Sequence, residues 1–233
     1  MGTNESAPRY LGAAFLGVVL TSLVSGVLNS SATGSGSVSQ ILAHVADNVS
    51  VARLSILVGM ANSVGIVVLA ALLYSVLGRQ SKVIALVALG CWLGEAVFYA
   101  AAQVGATGLI PLSQDFVKAG APDPSSSQTL GEFLYHGIYK LGVTVHMFFY
   151  CVGGLGWYYL FYRSRSIPRA IPAFGLAAAS AGLLGSVLGL LGNDVPIVAY
   201  LPLLPFELTI GTWLLLRGAS AGPARSDTQT ANG

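Results

Sequence analysis

The sequence predicts an all-α, polytopic bundle of six membrane-spanning helices, and three observations carry that prediction. Charged residues make up 9% of the chain while hydrophobic residues make up 54%, where a soluble domain is about 25% charged. So few charges cannot cover a water-exposed surface, and the mean hydropathy of +0.73 agrees that lipid is the solvent for most of it. Six apolar runs are each long enough, at about 20 residues, to cross a bilayer. The basic residues then sort to one side of the resulting plan.

The runs are 10–29, 53–77, 83–110, 137–162, 170–192 and 197–216. Helix is the state expected for each, because lipid has no partner to offer an open strand edge. The first resembles a signal peptide only superficially. Arg9 is offset by Glu5, the apolar stretch is long, and Asn29-Ser30-Ser31-Ala32 is a poor cleavage site, so it reads as a retained helix. After it, 30–37 is rich in Ser and Gly. Then Val38, Ile41, Leu42, Val45 and Val49 recur at helical spacing, which predicts an amphipathic segment lying on the membrane surface. Residues 78–82 form a tight turn. Residues 111–136, with Pro122, Pro124 and a Ser run, read as the longest loop, either disordered or a short lid. Residues 163–169 are short and basic, and Asn193-Asp194-Val195-Pro196 is a turn. Residues 1–9 read as a short cytoplasmic N-terminus, 10–216 as the six-helix transmembrane domain and the polar tail, 217–233, as disordered.

Arg9, Arg79, Lys82, Arg163, Arg165, Arg169, Arg217 and Arg225 fall on one side of this plan. Only Arg53, Lys118 and Lys140 fall on the other, together with Asp47, Asp115, Asp123, Glu132 and Asp194. The positive-inside rule places both termini in the cytoplasm of a multi-pass plasma-membrane protein. Tyr10, Tyr74, Trp157, Tyr158, Tyr159, Tyr162 and Trp213 lie toward the same helix ends and read as an interfacial aromatic belt.

Four residues stand at the wrong depth. Glu95 is ~18 Å into the third run and Glu207 ~15 Å into the sixth, at 1.5 Å per residue. His146 and Asn62 reach similar depths in the fourth and second. An ionised side chain at the bilayer centre costs about 2.5–3.5 kcal/mol. Two carboxyls there are expected to face the bundle interior and share partners, with His146 and Asn62 the available ones. Glu95 and Glu207 are the candidate acid–base pair, and Glu95, His146, Glu207 and Asn62 the candidate ligand set. The bland alternative is a set of interhelical hydrogen-bond clamps, which for Asn62 alone is the better reading. Pro202 and Pro205 precede Glu207 and predict a kink beside it. Glu132, His136 and Lys140 are spaced along one side of the fourth run's outer end, beside a stripe of Tyr139, Val143, His146 and Tyr150. They form either a polar vestibule or a solvated helix end laced by charge pairs. Ala178, Gly182, Gly185 and Gly189 predict close packing of the fifth helix.

Several functions are excluded. Cys91 and Cys151 form no CxxC pair and no metal spacing is present, so they read as small apolar packing residues. Lys140 lies too near a helix end for a retinal Schiff base. HExxH, GxSxG and P-loop motifs do not occur, and a net charge of +2 gives no argument for nucleic acid. Three functions remain. One is a binding protein for a membrane lipid or hydrophobic small molecule, such as an isoprenoid or quinone. The second is an intramembrane enzyme using a protonated Glu as general acid on an isoprenoid-type substrate, broadly like the small membrane terpene cyclases. The third is a proton-coupled transporter, which the lack of an inverted repeat disfavours unless the chain forms a homo-oligomer.

The stretches LLYSVLGRQSKVIALVALGCWLGEAVFYA (72–100), FYRSRSIPRAIPAFG (161–175) and PFELTIGTWLLLRG (205–218) resemble a bacterial membrane family, the domain-of-unknown-function family numbered 4386. The most specific pieces are Tyr-Arg-Ser-Arg-x-Ile-Pro-Arg and the ending Glu-x-x-x-x-x-Trp-Leu-Leu-x-x-Gly. Leu93 and Gly94 stand where the family pattern often carries an Arg before the acid, which puts in doubt an ion pair built on that Arg. The resemblance implies a polytopic membrane protein and no particular activity.

Overall fold

The computed structural model describes residues 6–122, 125–193, 195 and 197–218. Asp123, Asp194, Arg225, residues 1–5 and the tail 219–233 lie outside the described residues. All regular structure among the described residues is helical. In chain order it comprises α1 (Ser6–Thr33), α2 (Val38–Asp47), α3 (Val49–Leu77), α4 (Lys82–Lys118), α5 (Ser126–Glu132), a π-helical segment (Phe133–Lys140), α6 (Leu141–Ser164), α7 (Ala170–Leu190), a 3-10 turn (Ile197–Ala199) and α8 (Leu203–Arg217). Five helical paths are long and apolar enough to cross a membrane, the fourth being the continuous run Ser126–Ser164 through the π segment. The sixth predicted run is shorter: α8 has 15 residues, or ~22 Å, against a hydrocarbon core of ~30 Å.

The membrane helices form a closed ring. α1 packs on α3, α3 on α4, α4 on α6, α6 on α7, α7 on α8, and α8 returns to α1. Small residues set the close crossings. A Cβ at Gly153 would come within 3.0 Å of the Ala88 carbonyl on α4. One at Gly182 would lie 2.9 Å from Cys151 Sγ, and one at Gly189 3.2 Å from Thr144. The small residues of α7 are thus used within the chain, against α6 and the segment before α8. α1 and α8 meet most tightly where Gly12 lies against the α8 backbone, and a Cβ at Gly211 would reach 2.9 Å from Leu16.

The sixth run is not one kinked helix. Pro202 is the N-cap of α8 and Pro205 lies in its first turn, where the missing N–H would have had no helical partner. The prolines therefore begin a helix instead of bending one, and 197–202 precedes it as a 3-10 turn and bends.

Most of the described residues within 111–136 are helical, where a loop is expected. α4 continues through Pro111 to Lys118, and α5 follows with a Ser125–Gln128 capping box. The reason is burial. Leu109, Ile110 and Phe116 join Ile41, Leu42, Val45 and Tyr135 in a second apolar cluster. The apolar face of α2 is accordingly covered by α4 and α5 rather than laid on lipid, with Leu42 wholly buried. The two elements form a protein cap over one end of the ring.

The π segment also alters the expected polar stripe. Its i→i+5 pattern is wider than an α-turn, so Lys140 sits over the Tyr135 ring, 5.5 Å from its centroid and five residues away. Glu132 and His136 form an exposed pair at 3.9 Å. The solvated helix end, not a vestibule, is what forms. Of the expected aromatic belt, Trp157 and Tyr158 are fully buried instead. Trp157 meets Trp92 edge-on at 6.3 Å and Tyr158 meets Phe206 at 4.4 Å.

Candidate functional site

Asn62 on α3, Glu95 on α4, His146 on α6 and Glu207 on α8 all line one cavity of about 310 Å³ inside the ring. The four helices deliver them because each polar residue is on its helix's inward stripe: Asn62 and Glu95 are buried, at 2% and 4% exposure. The rest of the wall is mainly apolar and comes from the middle of α1 (Val18, Val19, Leu23) and from the broken stretch before and at the start of α8 (Tyr200, Leu201, Leu204). The cavity lies where those two elements part. They are pinned together at Gly12 and Gly211, and the gap opens further along α1.

The polar groups are unequally satisfied. Tyr150 Oη donates to Glu207 Oε1 at 2.8 Å and lies 3.0 Å from Tyr158 Oη. Tyr150 is itself held by Trp92, which stacks on its ring at 5.8 Å and donates Nε1–H to its carbonyl at 3.1 Å. Thr21 Oγ1 donates to Asn62 Oδ1 at 2.7 Å. By contrast, Glu95 Oε2 and His146 Nδ1 are buried with no hydrogen-bond partner among the described residues. The His146 ring lies 4.8 Å from that of Tyr99. Buried polar atoms are nearly always paired, so these two are the atoms of the cavity wall left able to bond a group placed between them.

The chemistry of the wall limits what such a group could be. No Lys or Arg lines the cavity, and two carboxyls do. An anionic head would be repelled without compensation, whereas a hydroxyl, carbonyl or amine finds both donors and acceptors. Among the described residues no three His, Cys, Asp or Glu side chains gather to hold a metal ion.

The sequence reading missed the hydroxyl partners. Tyr150 stood in a stripe beside His146 without a role, and Tyr158 was assigned to the interface. A signal was present: Tyr150, Gly154 and Tyr158 recur every four residues, hence on one helix face, and Gly154 leaves room for the Tyr158 ring, which a Cβ there would approach to 3.0 Å. Thr21 had no such signal.

No curated protein and no solved structure matches this chain. A family profile described as Domain of unknown function (DUF4386) matches residues 10–218, which takes in every helix of the ring and all four cavity residues. The chain belongs to the DUF4386 family.

Proposed function

We propose that this protein binds a neutral or cationic amphiphile, isoprenoid-, quinone- or lipid-like, by placing its polar head in the cavity between Glu95, His146, Glu207 and Asn62. The observation that carries the reading is the pair of unpartnered buried atoms, Glu95 Oε2 and His146 Nδ1, on one cavity with mostly apolar walls. The volume of about 310 Å³ is at the small end of ligand pockets, roughly 300–1,000 Å³. It suits a head group and the first part of a tail, with the remainder lying in lipid. The positive residues at the α6–α7 turn and the α8 end support an orientation with that face in the cytoplasm of the plasma membrane.

Mass spectrometry of small molecules that co-purify in mild detergent tests this reading. Wild type should carry a hydrophobic molecule with a hydroxyl, carbonyl or amine head that Glu95→Gln/Glu207→Gln lacks. Identical lipids on both proteins would make the two acids structural clamps.

A second reading has its own support. Glu95 has an oxygen free of intramolecular bonds in a largely apolar cavity that Tyr150 and Tyr200 also line, which suits a general acid for an isoprenoid alkene or epoxide. Release of a rearranged or hydrated product, lost in Glu95→Gln while ligand retention persists, would favour catalysis over binding.

A further inference from the structure

A second cavity lies at the end of the ring opposite the cap, and it has the opposite chemistry. It measures about 520 Å³ and is bounded by Arg165, Ser166 and Arg169 of the α6–α7 connection and by Trp213 and Arg217 at the end of α8. It shares no residue with the central cavity. Three arginines border one pocket, and among the described residues none has an ion pair and no acidic residue lines the site.

The positive-inside rule accounts for arginines at this end of the ring. It does not account for their converging on a pocket. The local structure makes them converge. Arg165 takes a left-handed backbone, φ 55°, and so ends α6 and turns the chain at once. Ser164 Oγ and Ser166 Oγ bond at 2.6 Å, and Ser166 N–H donates to Ser164 Oγ, which fixes the turn. Pro168 then leads into α7, whose N-terminus has no side-chain cap. Arg217 is held at the pocket over the ring of Trp213, itself a lining residue, at 5.9 Å, while Arg169 packs over Tyr162, just outside the pocket, at 5.1 Å. Planar guanidiniums fixed beside a hydrogen-bonding hydroxyl match a phosphoryl group with several acceptor oxygens.

We infer that the pocket formed by Arg165, Arg169, Arg217 and Ser166 is a phosphate-ester binding site, occupied by a phosphomonoester at the membrane surface. The chemistry is shared by an anionic lipid head and a water-soluble phosphate ester, and the site is independent of the central cavity and of its ligand.

The test uses full-length protein in phosphatidylcholine nanodiscs, with and without phosphatidic acid, and separately with glycerol 3-phosphate added to phosphatidylcholine discs. Thermal stability and retained lipid are read for wild type, Arg169→Gln/Arg217→Gln, and the charge-matched control Arg79→Gln/Lys82→Gln. Wild type should retain phosphatidic acid over phosphatidylcholine, and the pocket variant should lose this preference by more than about a hundredfold, as two charge-assisted hydrogen bonds predict beyond the roughly thirtyfold of surface attraction alone. The control should lose less than about a third of that. Arg169→Lys/Arg217→Lys keeps the charge, and with it the insertion signal, but removes the planar fork; it should also weaken retention, by several fold. Stabilisation by glycerol 3-phosphate as well would identify a soluble phosphate ester as the ligand, and stabilisation by phosphatidic acid alone a lipid head. Equal losses in pocket and control variants would reduce the site to a diffuse surface field and overturn the inference. So would a wild type indifferent to both probes.

Discussion

The two apolar clusters of this protein are built from similar residues but end differently. The cap, made by α2, the end of α4, α5 and the π segment, closes on itself and leaves a void of only about 10 Å³ between Ala52, Leu109 and Tyr135. The ring core packs Trp92, Trp157, Tyr158 and Phe206 to full burial, yet beside them it keeps about 310 Å³ open around two carboxyls, an imidazole and an amide. Looseness is therefore local, and it coincides with the side chains that are costly to place in a membrane. Had the gap been poor packing, it would have no reason to fall on the polar residues.

That contrast can be broken at either end. The largest stability effect is expected in the cap: Leu42→Ala should cost about 3 kcal/mol, read as a lowered unfolding midpoint, while ligand retention in the ring stays unchanged. Loss of retention in parallel would mean that cap and cavity are one unit. Tyr150→Phe comes next. It leaves Glu207 without its donor and should cost about 2 kcal/mol, with retention reduced as well because the carboxyl is no longer fixed. If neither unfolding nor retention changes, the Tyr150–Glu207 bond has no part in shaping the site. Filling the cavity from its rim with Ser22→Phe should weaken ligand retention by more than about tenfold, or ~1.4 kcal/mol, with little loss of stability. Retention at the wild-type level would place the ligand elsewhere. The smallest effect is expected for Thr21→Val, about 0.6 kcal/mol, the average for a hydrogen bond between membrane helices. A much larger loss would show that Asn62 is fixed chiefly by Thr21.

Much of the ring and the four polar residues was legible in the sequence because the membrane makes them legible. A carboxyl at mid-depth is expensive, so its presence is informative, and depth follows from counting along a helix of known rise. Hydroxyls carry little such information. Thr21 and Tyr150 cost little in a helix whether or not they meet a partner, because a Thr can bond its own preceding turn, as Thr21 does with the Gly17 carbonyl at 2.9 Å. The cap was illegible for a different reason. Pro111 and the Ser-rich stretch after it have the composition of a loop, and what holds them helical is burial of Phe116 in the cluster with α2 and the close approach of Gly131 to Val38 and Leu42, about seventy to ninety residues away in sequence. Pro202 and Pro205 mark the right place but allow two outcomes, a bend within a helix or the start of one, and local chemistry does not choose between them.

The central cavity opens sideways, between α1 and the stretch before α8, where Leu23 and Leu201 are 46% and 52% exposed on the outer face of the ring. On the proposed function, a molecule reaching it comes from the bilayer, so its relevant concentration is a mole fraction in lipid rather than a molarity in water. At about 0.8 kcal/mol per methylene, a tail of roughly ten carbons is enriched in the membrane by about a millionfold before it meets the protein. A site that gains little from the tail can then be filled at trace aqueous levels, and nearly all of its discrimination falls to the head group and the four side chains that meet it.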